Sequence, residues 1–255
     1  MPNSPLAGKR ILITRAAQQV AETTALIKKN AAIAVPFPCL EYRFLKTSTL
    51  QGLSHVKHYS DVVFTSVNGV RAVFENSPTS TADIFQDKRI AVVGEKTAGA
   101  LRKYNVQADI IPKTASQEGL IKAYQEQGLP QKLLFFRAEN GSDVLLEHLQ
   151  SHGIKTHLIT AYQSICPDAD NTEVLAMLEE NTIDATLLGS SKTAEHYLQR
   201  IGNIELANRP TLVAISQQVA DAADKLGLKV QLIATDANFP SMLESLAEYF
   251  SQRSN

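Results

Sequence analysis

The chain has 255 residues, 44% of them hydrophobic and 20% charged, which fits a globular protein of one large or two medium domains. Its 25 basic and 26 acidic side chains leave a net charge of −1, so no basic bias, arginine-rich tail or RNA-binding aromatic pattern points to nucleic acid. The longest apolar run, 31–39, is interrupted by Pro36 and Pro38 and is too short to span a bilayer.

Met1 to Gly8 lacks the charged-then-apolar order of a signal peptide, and Cys39 and Cys166 are too few and too far apart for a disulfide framework or a metal cluster. The expectation is a reduced, cytoplasmic protein with no metal, no membrane partner and no nucleic-acid partner. His55 and His58 stand without CxxC or HExxH context and read as surface or core histidines.

Lys9 to Thr14 reads as the first strand, ending at Arg15, with a helix from about Gln18 to Lys29. Ile33 to Phe44 is extended, and its two prolines suit an edge or a crossover. A short helix over Leu50–His58 precedes a strand at Asp61–Thr65, and Ser66-Val67-Asn68-Gly69 is turn chemistry entering a helix through Phe74. Ser77 to Thr81 is a polar loop. Residues 91–101 then form a strand–turn–helix unit: apolar Ile90–Val93, a tight turn at Gly94, and Thr97 in the first turn of a helix to about Tyr104. Free amides at such a helix start can hold an anion.

Asp109–Pro112 reads as a strand, and Ser116 begins a helix to about Gln127. Lys132–Phe136 is a strand ending in Arg137, followed by a loop to Ser142 and a helix over Asp143–His152 stopped by Gly153. Lys155–Cys166 is extended and Thr172–Glu180 helical. Ala185–Leu188 is a strand, with Gly189-Ser190-Ser191 turning into a helix through Leu198. Thr211–Ile215 is a strand, and Ser216 leads a helix ending at Gly227. Val230–Ala234 is the last strand and Pro240–Tyr249 the closing helix.

The series runs twice. Arg137-Ala138 follows Arg15-Ala16 by 122 positions, and the same offset relates Ser216 to Gly94, Val219 to Thr97 and Leu232-Ile233 to Ile110-Ile111. Ser190 follows Ser66 by 124. A steady offset over four strand–turn–helix units argues for two similar α/β sheets of parallel strands, of the flavodoxin-like doubly wound type. Ligands of such sheets sit at the carboxyl ends of the strands, and two facing domains would form a cleft.

The turns carry no GxGxxG, no phosphate loop, no GxSxG elbow and no supported Cys–His or Ser–His pair. They are rich in Ser, Thr, Asn and small residues. Such turns bind through amides and hydroxyls and suit a large, carboxylate-bearing polyanion. Arg15, Arg71, Lys96, Lys113, Arg137 and Lys192 lie near the strand ends and could add charge-assisted bonds.

Four segments resemble the uroporphyrinogen-III synthase family. Phe64-Thr65-Ser66-Val67-Asn68-Gly69-Val70 resembles its TSxNGV motif, and Val93-Gly94-Glu95-Lys96-Thr97-Ala98 its VGxxTA motif. Arg137-Ala138-Glu139-Asn140-Gly141 with Leu145, Leu149 and Gly153 resembles its R-G-x-x-G segment, and Ala161-Tyr162-Gln163-Ser164 its VYxT crossover. The likeness covers nearly the whole chain in the family's order. Two turns depart from it: Ser216 and Val219 replace the glycine and threonine of IGxxTA, and Gly189-Ser190-Ser191 replaces a TSP-type turn.

The resemblance implies two flavodoxin-like doubly wound domains joined by a two-stranded crossover hinge. One domain would comprise 1–36 with 168–255, the other 37–167, where the tandem repeat alone suggests a cut near Leu129. It further implies cyclisation of hydroxymethylbilane to uroporphyrinogen III, with loss of water and inversion of ring D through a spiro intermediate. No cofactor is implied. The substrate's eight carboxylates agree with turns rich in N–H and hydroxyl donors. Tyr162 is the implied catalytic hydroxyl at the leaving group, and Thr65, Ser66, Asn68, Gly94, Lys96, Thr97, Arg15, Arg137, Ser190, Ser191 and Ser216 are the implied substrate-binding residues. A monomer is expected, with the upstream hydroxymethylbilane synthase as a candidate partner in substrate handover. Two readings compete: a non-catalytic two-lobed binding or sensory module, and a two-domain α/β enzyme acting on a phosphorylated small molecule.

Overall fold

A computed structural model describes residues 4–77 and 81–253. Residues 78–80 of the expected Ser77–Thr81 loop lie outside the described residues. The chain begins β1 (Arg10–Ile13), α1 (Ala17–Lys29), β2 (Ile33–Pro36), β3 (Glu41–Phe44), α2 (Lys46–His55), β4 (Asp61–Phe64), α3 (Val67–Phe74), β5 (Arg89–Val92) and α4 (Glu95–Arg102). It continues α5 (Gln117–Gln127), β6 (Lys132–Ala138), α6 (Val144–Ser151), β7 (Lys155–Ile165), α7 (Thr172–Glu179), β8 (Ala185–Leu188) and α8 (Ser191–Ile201). It closes with α9 (Ile204–Ala207), β9 (Thr211–Ala214), α10 (Gln217–Asp224), β10 (Val230–Ile233) and α11 (Phe239–Arg253). The chain forms two compact units, Met1–Glu41 with Ile165–Asn255 and Tyr42–Ser164.

The first unit holds the sheet β2-β1-β8-β9-β10, parallel throughout. Counted along the unit's own chain this is the order 2-1-3-4-5, the flavodoxin-like arrangement. β2, which ends at Pro36, is an edge strand, where a missing N–H costs no ladder bond. Both faces of the sheet are covered. Leu12 and Leu188 point to a cluster with Tyr197 and Ala220, while Ile11, Ile13 and Leu187 point to one with Ile27, Met242 and Leu246.

The second unit holds β3-β7-β6-β4-β5, with β7, β6, β4 and β5 parallel. Its strand residues alternate in the same way. Val62, Phe64, Leu134 and Phe136 pack with Val70 of α3 and Leu101 of α4; Val63, Leu133 and Phe135 pack with Leu120 and Tyr124 of α5 and Leu145 of α6. Phe64 and Phe136 stack at 5.4 Å between centroids, 9° from parallel. Burial on two faces explains why these strands are continuous apolar runs and not alternating ones.

Three features depart from the sequence reading. The strand expected over Asp109–Pro112 contracts to one parallel bridge, Ala91 to Ile110. Ile110 bonds to β5 through both backbone groups, its N–H donating to Ile90 O at 3.1 Å and its C=O accepting from the Val92 N–H at 3.0 Å, but Pro112 has no N–H to continue the ladder. β6 runs on through Arg137 to Ala138, with an irregularity between those two residues, so Arg137 lies in the strand and not after it. Short helices at Thr81–Phe85 and Ile204–Ala207 had no separate signal in the sequence.

Candidate active site

The register aligns the carboxyl edge of the second sheet. Phe64 pairs with Phe136 and with Val92, and Ala138 pairs with Tyr162. Ser66, Ala138 and Gly94, each two residues beyond that paired row, therefore end neighbouring strands at one level, with Tyr162 beside them.

Tyr162 is 7% exposed. Its Oη lies 3.0 Å from Ser66 Oγ, so its side chain reaches past β6 from β7 toward the end of β4. Tyr42 presses edge-on against the ring at 5.8 Å and 80°. Burial raises the phenol pKa above its ordinary value, the Ser66 hydrogen bond pulls it down, and Tyr42 pushes it up. The net direction is upward, so the group is a protonated donor at neutral pH.

Ser66 is the N-cap of α3, in extended backbone, and its Oγ accepts the Gly69 N–H at 3.0 Å. Thr65 and Asn68, on either side of this turn, are half-buried. Gly94 is the N-cap of α4 and supplies no side-chain cap. The Thr97 amide turns back to Gly94 O at 3.0 Å, and the amides of Glu95 and Lys96 are left without an intrahelical acceptor. A Cβ on Gly94 would stand 3.0 Å from the Ala115 Cβ, so the turn is closely covered. Thr97 is buried at 6% exposure, and Lys96 is exposed.

Arg137 differs from these. It is 5% exposed, and its guanidinium donates to Gly141 O at 2.5 Å and Ser142 O at 2.6 Å, and pairs with Asp143 at 2.7 Å. It thereby folds its own loop down, while its buried Nε has no partner among the described residues.

In the first unit, Ser190 caps α8 in a reciprocal box with Thr193: the Thr193 N–H donates to Ser190 Oγ at 3.1 Å, and the Ser190 N–H to Thr193 Oγ1 at 2.9 Å. Ser191 is the first, half-buried residue of α8. Ser216 precedes α10 with no side-chain cap bond, as Gly94 precedes α4. Arg15 reaches Glu22 at 3.1 Å and Thr23 at 3.0 Å, and its guanidinium lies 4.3 Å from the centre of the Phe239 ring. That ring closes over Gly189, where a Cβ would meet it at 2.8 Å. Sequence reasoning missed Phe239 and Tyr42, since neither stands in a turn motif and each acts through a contact distant in sequence.

Under the 122–124-residue offset, β7, β6, β4 and β5 of the second sheet stand in the same spatial order as β2, β1, β8 and β9 of the first, so two sheets with hydroxyl-bearing helix starts at their carboxyl edges define a duplicated flavodoxin-like α/β protein. A family profile described as uroporphyrinogen-III synthase HemD matches residues 21–244. The chain belongs to the uroporphyrinogen-III synthase family, lyase-class enzymes of haem biosynthesis that cyclise hydroxymethylbilane. It is 28% identical over 265 aligned residues to the uroporphyrinogen-III synthase of Synechococcus elongatus, covering 99% of both chains. To that of Chlorobaculum parvum it is 26% identical over 246 residues, covering 94% of this chain and 98% of the relative. Among solved structures, a mutant uroporphyrinogen III synthase of Thermus thermophilus aligns with TM-score 0.63 at 16% identity, over 96% of this chain and 100% of that one. The Helicobacter pylori uroporphyrinogen-III synthetase aligns with TM-score 0.63 at 16% identity, over 94% and 99%. These two likenesses speak for the fold. No helix of the described residues is long and apolar enough to cross a membrane.

Proposed function

We propose that this chain closes hydroxymethylbilane to uroporphyrinogen III with ring D inverted, and that Tyr162 assists departure of the terminal hydroxyl. The observation that carries this assignment is the buried, protonated Tyr162 phenol beside Ser66 at the carboxyl edge of the second sheet. Breaking the C–O bond places negative charge on the leaving oxygen. A phenol O–H donating to that oxygen lets it depart as water, an effect of about 10²–10⁴-fold for a well-placed general acid. The remaining cation is attacked by ring D at its substituted position, which gives the spiro intermediate. Reopening and reclosure then leave the ring inverted. The substrate also closes without inversion when free, so much of the protein's task is to hold the chain in the reactive fold.

The substrate's carboxylates are assigned to Thr65, the Ser66 amide, Asn68, Lys96, Thr97 and the amides after Gly94 in one unit, and to Arg15, Ser191, Ser216 and the α8 start that Ser190 caps in the other. Arg137 supports the same edge through the loop it holds. Charge-assisted bonds from such donors to carboxylates are the stronger class of hydrogen bond. On this reading the protein acts as a cytoplasmic monomer without cofactor, and receives its unstable substrate from the upstream hydroxymethylbilane synthase. An isomer assay tests the proposal: hydroxymethylbilane is generated in place by that synthase, the product is oxidised, and type I and type III uroporphyrins are separated. Mostly type III is expected; type I alone from folded protein would refute the activity.

A further inference from the structure

We propose that Ser66 is a positioning residue for this reaction: its hydroxyl donates to the Tyr162 oxygen and so leaves the phenol's own proton directed at the leaving group. The inference rests on the assignment of Tyr162 above. A serine hydroxyl has one proton and two lone pairs. Ser66 Oγ already accepts the Gly69 N–H at 3.0 Å, and Tyr162 Oη is 3.0 Å away. An oxygen that accepts an amide N–H becomes a better donor, and the phenol it donates to becomes a better acid. In the opposite direction the Tyr162 proton would be spent on Ser66 and could not reach substrate. The chain of donation is therefore Gly69 N–H to Ser66, Ser66 to Tyr162, and Tyr162 to the leaving oxygen.

The first unit provides an internal contrast. Ser190 occupies the place of Ser66, and Thr193 that of Gly69, both 124 positions on. There the serine proton is consumed locally, because Ser190 Oγ donates to Thr193 Oγ1 at 3.2 Å. Gly69 carries no hydroxyl, so the Ser66 proton remains available to Tyr162. A Cβ at Gly69 would meet Ser66 Oγ and Phe136 O at 3.4 Å, an ordinary contact, so the backbone there accepts a Cβ.

Two sets of variants test this by steady-state kinetics against pH. Ser66→Ala is expected to lower kcat about tenfold with little change in KM. Losing a donor to the phenolate raises the Tyr162 pKa further, so the alkaline limb of kcat should move to higher pH. Ser66→Thr, which keeps cap and donor, should recover much of the rate and return the limb. Gly69→Thr rebuilds the first unit's box and diverts the Ser66 proton, so it should be slower than the equally shaped Gly69→Val. Because the Gly69 pair retains Ser66, it separates positioning from loss of the helix cap. An unmoved limb in Ser66→Ala, or equal rates for Gly69→Thr and Gly69→Val, would overturn the inference. Tyr162→Phe at wild-type rate would instead overturn the assignment of Tyr162 itself.

Discussion

At Ser66 and at Ser190 the same strand–turn–helix unit ends in an N-cap serine, yet the two edges are filled differently. In the second unit the serine hydroxyl faces a buried tyrosine. In the first, Ser190 and Thr193 satisfy each other, Arg15 is held by Glu22 and Thr23, and Phe239 closes over Gly189. A threonine at 97 is matched by a valine at 219. Duplication thus supplied one backbone frame twice. On the proposed reading, the tyrosine beside Ser66 gives the second unit's edge its acid, while the serine–threonine box at Ser190 leaves the first unit's edge to support and binding.

The largest expected effect is at Tyr162. Tyr162→Phe removes the donor and keeps the ring against Tyr42, so turnover to type III should fall by about 100-fold or more while the melting temperature holds. The wild-type pH profile sharpens the same point. Because burial raises the phenol pKa, the acid form persists through neutrality, and kcat should decline only above the ordinary tyrosine value of about 10. A decline well below that pH would assign the step to another group.

Next in size is Thr97→Val, which removes a buried hydroxyl at nearly constant shape. Product affinity, measured by calorimetry, should weaken by about tenfold, equivalent to roughly 1.4 kcal/mol for one hydrogen bond to a charged group. Ser190→Ala should instead act chiefly on stability. Loss of the cap costs about 1 kcal/mol, a fall of a few degrees in melting temperature, with a smaller loss of affinity than Thr97→Val. The smallest effect is expected from Val219→Thr, which restores the matching hydroxyl to the first unit. If it tightened binding as much as Thr97→Val weakened it, the two edges would be equal partners and the contrast would fail.

Much of the frame was legible in the sequence because burial on both faces writes strands as apolar runs such as Val62-Val63-Phe64 and Leu133 to Phe136, and because helix starts carry serine caps at 66, 116 and 190. The repeat added topology, since a constant offset implies the same order of strands. What escaped was non-local. Residues 66 and 162 lie 96 positions apart, and no local pattern says that they touch. Arg137 reads as a free cation after a strand, although the guanidinium is turned onto the carbonyls of its own loop. The Asp109–Pro112 strand shrank because its proline removes a donor, a rule the sequence states but the apolar pattern overrode. Phe239 precedes the proline that marks the start of α11, and its cover over Gly189 is visible only in three dimensions.

The most direct measurement is the partition of product isomers by wild type and Tyr162→Phe in parallel, with hydroxymethylbilane supplied at a fixed rate by the upstream synthase. The account predicts mostly type III from the wild type, and predominantly the spontaneous type I isomer from Tyr162→Phe that is folded to the same extent. Type III formed by both proteins at the same rate would contradict it, and would move the reacting hydroxyl away from Tyr162.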